Sequence, residues 1–198
     1  MVTLQSRDPG QPLFWSERFA QHITPWDRGG VPAELRAWVG QDPRPRAALI
    51  PGCGSAYEVA YLAQAGWDVT AIDFSAVAVA TARQALGPWA AHVVEADFFH
   101  FTPPRPLELI YECAFFCALP PRLRPDVVAR WAELLSPGGL LAGFFFFDQT
   151  PKGPPFGIGA AELEQLLAPF FERLDDRPVA DSLPVFAGRE RWQVWRRR

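Results

Sequence analysis

The chain has 198 residues, a mass of 22.1 kDa and 49% hydrophobic residues, enough for one domain with a substantial core. Its formal net charge of −3 gives no basic field of the kind polyanions need, so no nucleic-acid partner is expected. Three cysteines suit a reducing compartment better than a disulfide frame, and no apolar run forms a leader or a bilayer span, so the expectation is a cytoplasmic protein without a membrane partner.

Residues 1–10 are polar and expected to be loose. In Phe14-Trp15-Ser16-Glu17-Arg18-Phe19, the spacing puts Trp15 and Phe19 on one face of a helix, and Trp26 follows in Thr24-Pro25-Trp26-Asp27. These rings either anchor the segment to the main domain or roof a bound cofactor. A sulfonium cation is drawn to a ring face by roughly 0.5–2 kcal/mol, depending on desolvation. Pro32 to Val39 reads as a short amphipathic helix, and 41–46, with two prolines, as a linker.

A strand over about 47–51 then meets Gly52 and Gly54, a helix follows over about 56–64, and a second strand, 68–73, ends at Asp73. Strand, glycine turn, helix, strand and carboxylate make the first half of a nucleotide-binding α/β unit. Tyr57 stands where a third glycine would cradle a pyrophosphate, which disfavours a nicotinamide-dependent oxidoreductase. Pro51-Gly52-Cys53-Gly54 is closer to the first motif of S-adenosylmethionine-dependent methyltransferases.

Ser75 is a suitable N-cap for a helix over 76–86, stopped by Gly87-Pro88. A third strand, 92–95, leads to Asp97-Phe98-Phe99. At a strand's carboxyl end Asp97 either accepts a hydrogen bond from an adenine amino group or caps a turn. A fourth strand, 107–111, opens into Glu112-Cys113-Ala114-Phe115-Phe116-Cys117-Ala118-Leu119, an apolar loop placed where a methyl acceptor would arrive. Cys113 and Cys117 lack the further ligands a zinc site requires, so no metal is expected. A helix to Leu135, a turn at Pro137-Gly138-Gly139 and a central strand over 140–147 follow, ending at Asp148. The Pro- and Gly-rich stretch 150–159 has the length of a functional lid. A helix over 160–167 precedes two last strands, 170–179 and 190–196. The second of these carries Arg189, Arg191 and Arg196–Arg198 between Trp192, Val194 and Trp195, the pattern expected of an edge strand with a solvated tail.

Thr24-Pro25-Trp26-Asp27, Pro51-Gly52-Cys53-Gly54, Asp73, Asp97, Phe115-Phe116-Cys117-Ala118 and Gly153-Pro154-Pro155-Phe156 together resemble the thiopurine methyltransferase superfamily, nearest its halide and thiol methyltransferases. The resemblance spans nearly the whole chain. It implies an α/β fold: a seven-stranded, mostly parallel Rossmann-like sheet with an antiparallel last strand and helices on both faces. It also implies S-adenosylmethionine as cofactor, a small-molecule acceptor and a monomer. Residues 1–198 would form one methyltransferase domain, with 1–40 as aromatic lid and helix and 47–198 as sheet core. Cofactor contacts fall on Trp15, Phe19 and Trp26, on Gly52 at the methionine end, on Asp73 at the ribose, on Asp97 and Phe98 at the adenine, and on Cys113. Phe19 and Cys113 depart from the family pattern, which often has Trp and Tyr there.

The reaction implied is methyl transfer to a small soft nucleophile. Thiols, hydrogen sulfide, iodide, thiopurines and selenium or tellurium oxyanions all remain open as acceptors. No catalytic base stands out; Asp27 and Asp148 are either bases or turn caps. The rivals are a cofactor-binding protein without catalysis, an oxidoreductase, and a methyltransferase of nucleic acid or protein. The last is disfavoured because position 112 begins Glu-Cys-Ala-Phe rather than an Asn/Asp-Pro-Pro-aromatic motif.

Overall fold

Alternation of side chains between the two faces of a sheet divides the molecule. In the computed structural model, which describes residues 6–150 and 152–198, seven strands form one sheet in the order β3-β2-β1-β4-β5-β7-β6. They are β1 Ala47–Pro51, β2 Asp68–Asp73, β3 Val93–Glu95, β4 Leu107–Cys113, β5 Leu135–Phe146, β6 Phe171–Pro178 and β7 Glu190–Arg197. The first five run parallel, and β7 pairs antiparallel with both β5 and β6. The anticipated α/β fold is therefore present: β7, the last strand in the chain, is the one reversed, and β6, antiparallel to β7, runs parallel to the first five. Of the expected loose start, residues 1–5 lie outside the described residues, as does Pro151 in the proposed lid.

Alternate side chains feed two cores. On one face Ile110, Leu141, Phe145 and Trp195 pack against Val127, Val128 and Trp131 of α5 (Arg124–Leu134) and Leu163 and Leu167 of α6 (Ala160–Leu167). On the other, Ile50, Leu109, Tyr111, Phe144 and Trp192 meet α2 (Ala33–Gln41), α3 (Tyr57–Gln64) and α4 (Ala76–Leu86) through Leu35, Val59, Leu62 and Val79. β5 is buried on both faces, as its apolar run requires.

Two expectations need correction. Pro137-Gly138-Gly139 does not end one element and start another. It lies within β5 as an irregularity, where pairing passes from Leu107 with Leu135 to Leu109 with Leu140. Gly138 there has φ +81°, a backbone that lets the strand kink and resume. The Arg-rich end is not an edge strand either. β7 lies between β5 and β6, because Trp192, Val194 and Trp195 are buried while its arginines reach acids on β6: Arg191 pairs with Asp176 and Arg196 with Glu172.

The strand order reverses between β1 and β4, which diverge to helices on opposite faces. In such sheets a crevice opens outside the carboxyl ends of those strands. The N-terminal helix α1 (Pro12–Ala20) lies above it and packs on α4 through Phe14, Trp15, Phe19 and Ala78.

Candidate cofactor and acceptor site

A cavity of about 210 Å³ occupies that crevice. This far exceeds the ~10–15 Å³ that one water needs, so the space suits a polyatomic ligand. Every residue singled out from the sequence as a cofactor contact lines it: Trp15, Phe19, Trp26, Gly52, Asp73, Asp97, Phe98 and Cys113.

The floor is the turn after β1. Gly52 has φ +58° and Gly54 φ +51°, values that L side chains adopt at a cost. A Cβ on Gly52 would stand 2.6 Å from Cδ2 of Phe115, and one on Gly54 would stand 3.3 Å from Cζ of Phe19. The missing side chains thus let one ring from the β4 side and one from α1 close onto the turn. Asp73, at the tip of β2, ties the corner together. Its Oδ2 accepts the Gly54 N–H at 3.1 Å and its Oδ1 the Ser75 N–H at 2.9 Å. Ser75 in turn caps α4 by accepting the Ala78 N–H, and its hydroxyl meets that of Ser16 on α1. Burial raises the Asp73 carboxyl to about 6, against these N–H donors, which favour the charged form.

The roof is aromatic. Trp15 and Trp26 meet edge to face at 5.3 Å, and Phe19 and Trp26 at 6.1 Å. The Trp15 indole donates to the Pro9 carbonyl at 2.8 Å, fixing the ring at the helix entrance. Anchor and roof are one structure, since these rings both pack on α4 and line the cavity. The Thr24-Pro25-Trp26-Asp27 segment closes on itself through the Asp27 N–H to Thr24 carbonyl bond. Asp27 then accepts from Gly29 N–H, from the Ser55 hydroxyl and, at 3.4 Å, from the Tyr57 hydroxyl. Tyr57 therefore fastens the N-terminal segment to α3 rather than filling the crevice.

Asp97 accepts the Phe99 N–H at 3.0 Å and meets His100 Nδ1 at 2.6 Å, so it does cap its turn, while bordering the cavity. Phe98 packs edge to face on Phe115 at 5.0 Å. Asp148 does not line this cavity. It accepts from Gln149, Thr150 and Arg189 and so serves as a turn cap, one of the two roles open to it from the sequence.

A second, apolar wall was legible in part: the stretch after β4 and the 150–159 stretch were expected at the site, the β6–β7 loop was not. Phe115, Cys117, Ala118 and Leu119 come from the stretch after β4, Pro154 and Pro155 from the 150–159 stretch, and Leu183, Val185 and Phe186 from the β6–β7 loop. The Glu112 carboxylate, 1% exposed, accepts the N–H groups of Phe115 and Phe116 and so folds this wall into place. Phe156 N–H donates to the Cys117 carbonyl at 2.7 Å, and Arg124 holds the Phe156 and Gly157 carbonyls. Arg28 is the one Lys, Arg or His among the described lining residues, and it lies within 3.5 Å of Asp181 and 3.7 Å of Glu190. Two further groups escaped the sequence reading. Glu58, in the first turn of α3, lines the cavity at 7% exposure, and Glu190 lines it at 8%. Burial also pushes the thiols of Cys53, Cys113 and Cys117 well above their ordinary value, so they stay neutral.

The residues present fit S-adenosylmethionine. A carboxylate stands at the second strand tip, a glycine cradle that a Cβ would fill lies beside it, and rings enclose the apolar centre. A glycine corner, that carboxylate and a crevice at the strand-order reversal of this mixed sheet define an S-adenosylmethionine-dependent methyltransferase with a Rossmann-like fold. The family model for thiopurine S-methyltransferase (TPMT) matches residues 10–198, and the chain belongs to that family. It is 34% identical over 161 residues to "Probable thiol methyltransferase 2" of Arabidopsis thaliana, covering 78% of this chain and 71% of the relative. "Thiocyanate methyltransferase 1" of the same plant is 30% identical over 190 residues, 92% of this chain and 84% of the relative. Among solved structures, the 1,6-didemethyltoxoflavin-N1-methyltransferase of Burkholderia thailandensis superposes with a TM-score of 0.74 at 18% identity, over 99% of this chain and 93% of that one. Among the described residues no helix is long and apolar enough to cross a membrane, and no His, Cys, Asp and Glu side chains gather into a metal-binding group.

Proposed function

We propose that this enzyme methylates a small thiol-type acceptor, a sulfur nucleophile with an apolar body, and works as a single-domain monomer in the cytoplasm without a nucleic-acid partner. The observation that carries the acceptor class is the apolar lining of Phe115, Cys117, Leu119, Pro154, Pro155, Leu183, Val185 and Phe186, which shares the cavity with the glycine corner. The thiol and thiocyanate methyltransferases among the relatives support the same class. Free thiols throughout the chain and a net charge of −3 support the compartment and the absence of a polyanion.

Asp73 would hold the ribose, Asp97 and Phe98 the adenine, Gly52 the methionine end, and Cys113 the edge nearest β4. Trp15, Phe19 and Trp26 would cover the charged sulfur. When bound, S-adenosylmethionine supplies a methyl group on a positively charged sulfur, already activated for displacement. The chain's own task is alignment, because well-oriented partners gain the equivalent of about 7–11 kcal/mol over free encounter. The apolar wall excludes water from the acceptor's sulfur. A thiol with pKa near about 8.5 is a few per cent thiolate at neutral pH, so its proton passes to solvent and no residue is assigned as base. The neutral cysteines of the site do not compete with it. An oxyanion acceptor finds less support, since Arg28 already faces Asp181 and Glu190.

The test is a mass-spectrometric screen with isotopically labelled cofactor against an aryl thiol, a thiopurine, hydrosulfide, iodide and selenite. Label on the aryl thiol or thiopurine is the expected result. Label on selenite or iodide alone overturns the acceptor class, and label on none overturns the activity.

A further inference from the structure

Five acids line the cavity, and four of them are engaged. Asp27 accepts from Gly29, Ser55 and Tyr57; Asp73 from Gly54 and Ser75; Asp97 from Phe99 and His100; Glu190 from Ser182, with Arg28 nearby. Glu58 differs. It is 7% exposed, it lines the cavity, and apart from its own backbone N–H no group donates to it. A first-turn acid on a helix is ordinarily a solvated partner of the helix dipole. Here the residue is buried against the cavity, and its carboxyl forms no ion pair among the described residues. Buried carboxyls are ordinarily held by a cation or several donors, and one beside a cavity held by its own N–H alone has room for a donor that a ligand brings.

We propose that Glu58 is the receptor for the primary ammonium group at the amino-acid end of the cofactor. This rests on the reading of the cavity as the S-adenosylmethionine site. The placement fits: Glu58 lies in the first turn of α3, directly after the glycine turn, and lines the same cavity as Cys53 and as Asp73, which serves the ribose in that reading. The groups whose fields reach Glu58 or that feel its own are Asp27 and Arg28 from the N-terminal segment, Cys53 from the glycine turn, Tyr57 from α3, and Tyr111 and Cys113 from β4. Arg28 is the single cation among them, and it forms its ion pairs with Asp181 and Glu190. Burial, and to a lesser degree Asp27, lifts the Glu58 carboxyl to about 7. An ammonium group arriving beside it favours the charged form and lowers that value. Binding should therefore release a proton from Glu58 near neutral pH, about half an equivalent at pH 7. The affinity should rise with pH up to about 7 and then level, until the ligand's own ammonium group begins to lose its proton.

The experiment is calorimetry in buffers of different ionisation enthalpy, on the full chain, with two probes. S-adenosylhomocysteine carries the amino-acid end; 5′-methylthioadenosine keeps the adenosine and sulfur but lacks it. Wild-type protein should release protons with the first and fewer with the second, a comparison that needs no variant and that leaves any contribution of Asp73 common to both. Glu58→Gln should abolish the excess release and weaken S-adenosylhomocysteine by roughly ten- to hundredfold, while 5′-methylthioadenosine binds as before. Equal proton release for both probes in the wild type, or equal weakening of both by Glu58→Gln, overturns the assignment. Failure of wild-type protein to bind either probe overturns the cofactor site itself, which is a different result.

Discussion

The two kinds of wall that line the cavity are built by different physics. The floor is polar and local: Gly52, Gly54, Asp73 and Ser75 all belong to one strand–turn–helix–strand unit, joined by backbone N–H bonds to one carboxylate. The second wall is apolar and assembled from three distant stretches, whose rings and prolines meet only in the folded chain. Hydrogen bonds fix directions, so the floor suits a ligand with defined polar atoms. Apolar contacts fix volume, so the second wall selects by size and softness. The contrast also separates what each wall tolerates, and substitutions on either side give it measurable form.

The largest effect is expected at the point where the walls touch. Gly52→Ala forces an L side chain into a left-handed backbone and a Cβ to 2.6 Å from Phe115. Backbone strain of ~1–2 kcal/mol and overpacking of ~1–3 kcal/mol give a loss of about 2–5 kcal/mol in urea unfolding. Gly40→Ala, in α2 with nothing within 4 Å of the added methyl, should instead stabilise by roughly 0.5–1 kcal/mol. A neutral Gly52→Ala would mean that the corner is not locked by its two neighbours. Next comes Asp73→Ala, which belongs to the polar wall alone. Loss of hydrogen bonds to a charged group should weaken S-adenosylhomocysteine by roughly 1.5–3 kcal/mol, ten- to hundredfold, in a calorimetric titration. Unchanged affinity would leave Asp73 only its structural bonds to Gly54 and Ser75.

The same contrast explains what could be read from the chain. Gly52, Asp73 and the Ser75 cap of α4 follow from short-range rules, so the floor was legible. Trp15 and Phe19 were legible as a helix face, though not as anchor and roof together. Leu183, Val185 and Phe186 carry no local signal, because the β6–β7 loop reaches the site only once β7 is inserted beside β5. The alternation of Arg and Trp in β7 reads alike for an edge strand and for its inner neighbour; only the acids of β6 opposite decide between them. Glu58 escaped because a first-turn acid normally lies on the surface. Arg28 escaped because its partners, Asp181 and Glu190, lie at the far end of the chain.

The apolar wall hangs on one buried acid, and its stability should carry that acid's signature. Burial lifts Glu112 to about 8, against the two N–H groups it accepts. A carboxyl whose folded value lies above its unfolded one binds more protons when folded. Its contribution is therefore fully present at acid pH and is lost as pH rises through the folded value. Asp73 at about 6 and Glu58 at about 7 add similar terms that begin in the same acid range and end at lower pH, so Glu112 dominates the last stretch. Between pH 7 and 8 the unfolding free energy should fall by up to about 1.4 kcal/mol per pH unit. Glu112→Gln should flatten that segment and also lessen the slope near pH 6, where Asp73 and Glu58 keep the remainder. A wild-type profile already flat from 7 to 8 would mean that Glu112 is ionised throughout and held by Phe115 and Phe116 alone.

The smallest effect concerns the roof, and it is the one that depends on charge rather than shape. Trp26 touches Trp15 and Phe19 by its edges and borders both walls. Trp26→Leu keeps an apolar group there but removes the ring face. A cation over a ring gains roughly 0.5–2 kcal/mol, and a neutral sulfur gains no such charge-dependent attraction. The substitution should therefore weaken S-adenosylmethionine more than S-adenosylhomocysteine, by a ratio of roughly two- to thirtyfold. A shift common to both ligands would assign Trp26 to packing. Since the two ligands differ by one methyl group and its charge, the ratio of their dissociation constants separates the roles without reference to catalysis. Thermal unfolding of the same variant supplies the second axis: a roof residue changes the ratio with little change in Tm, whereas an anchor changes Tm and leaves the ratio alone.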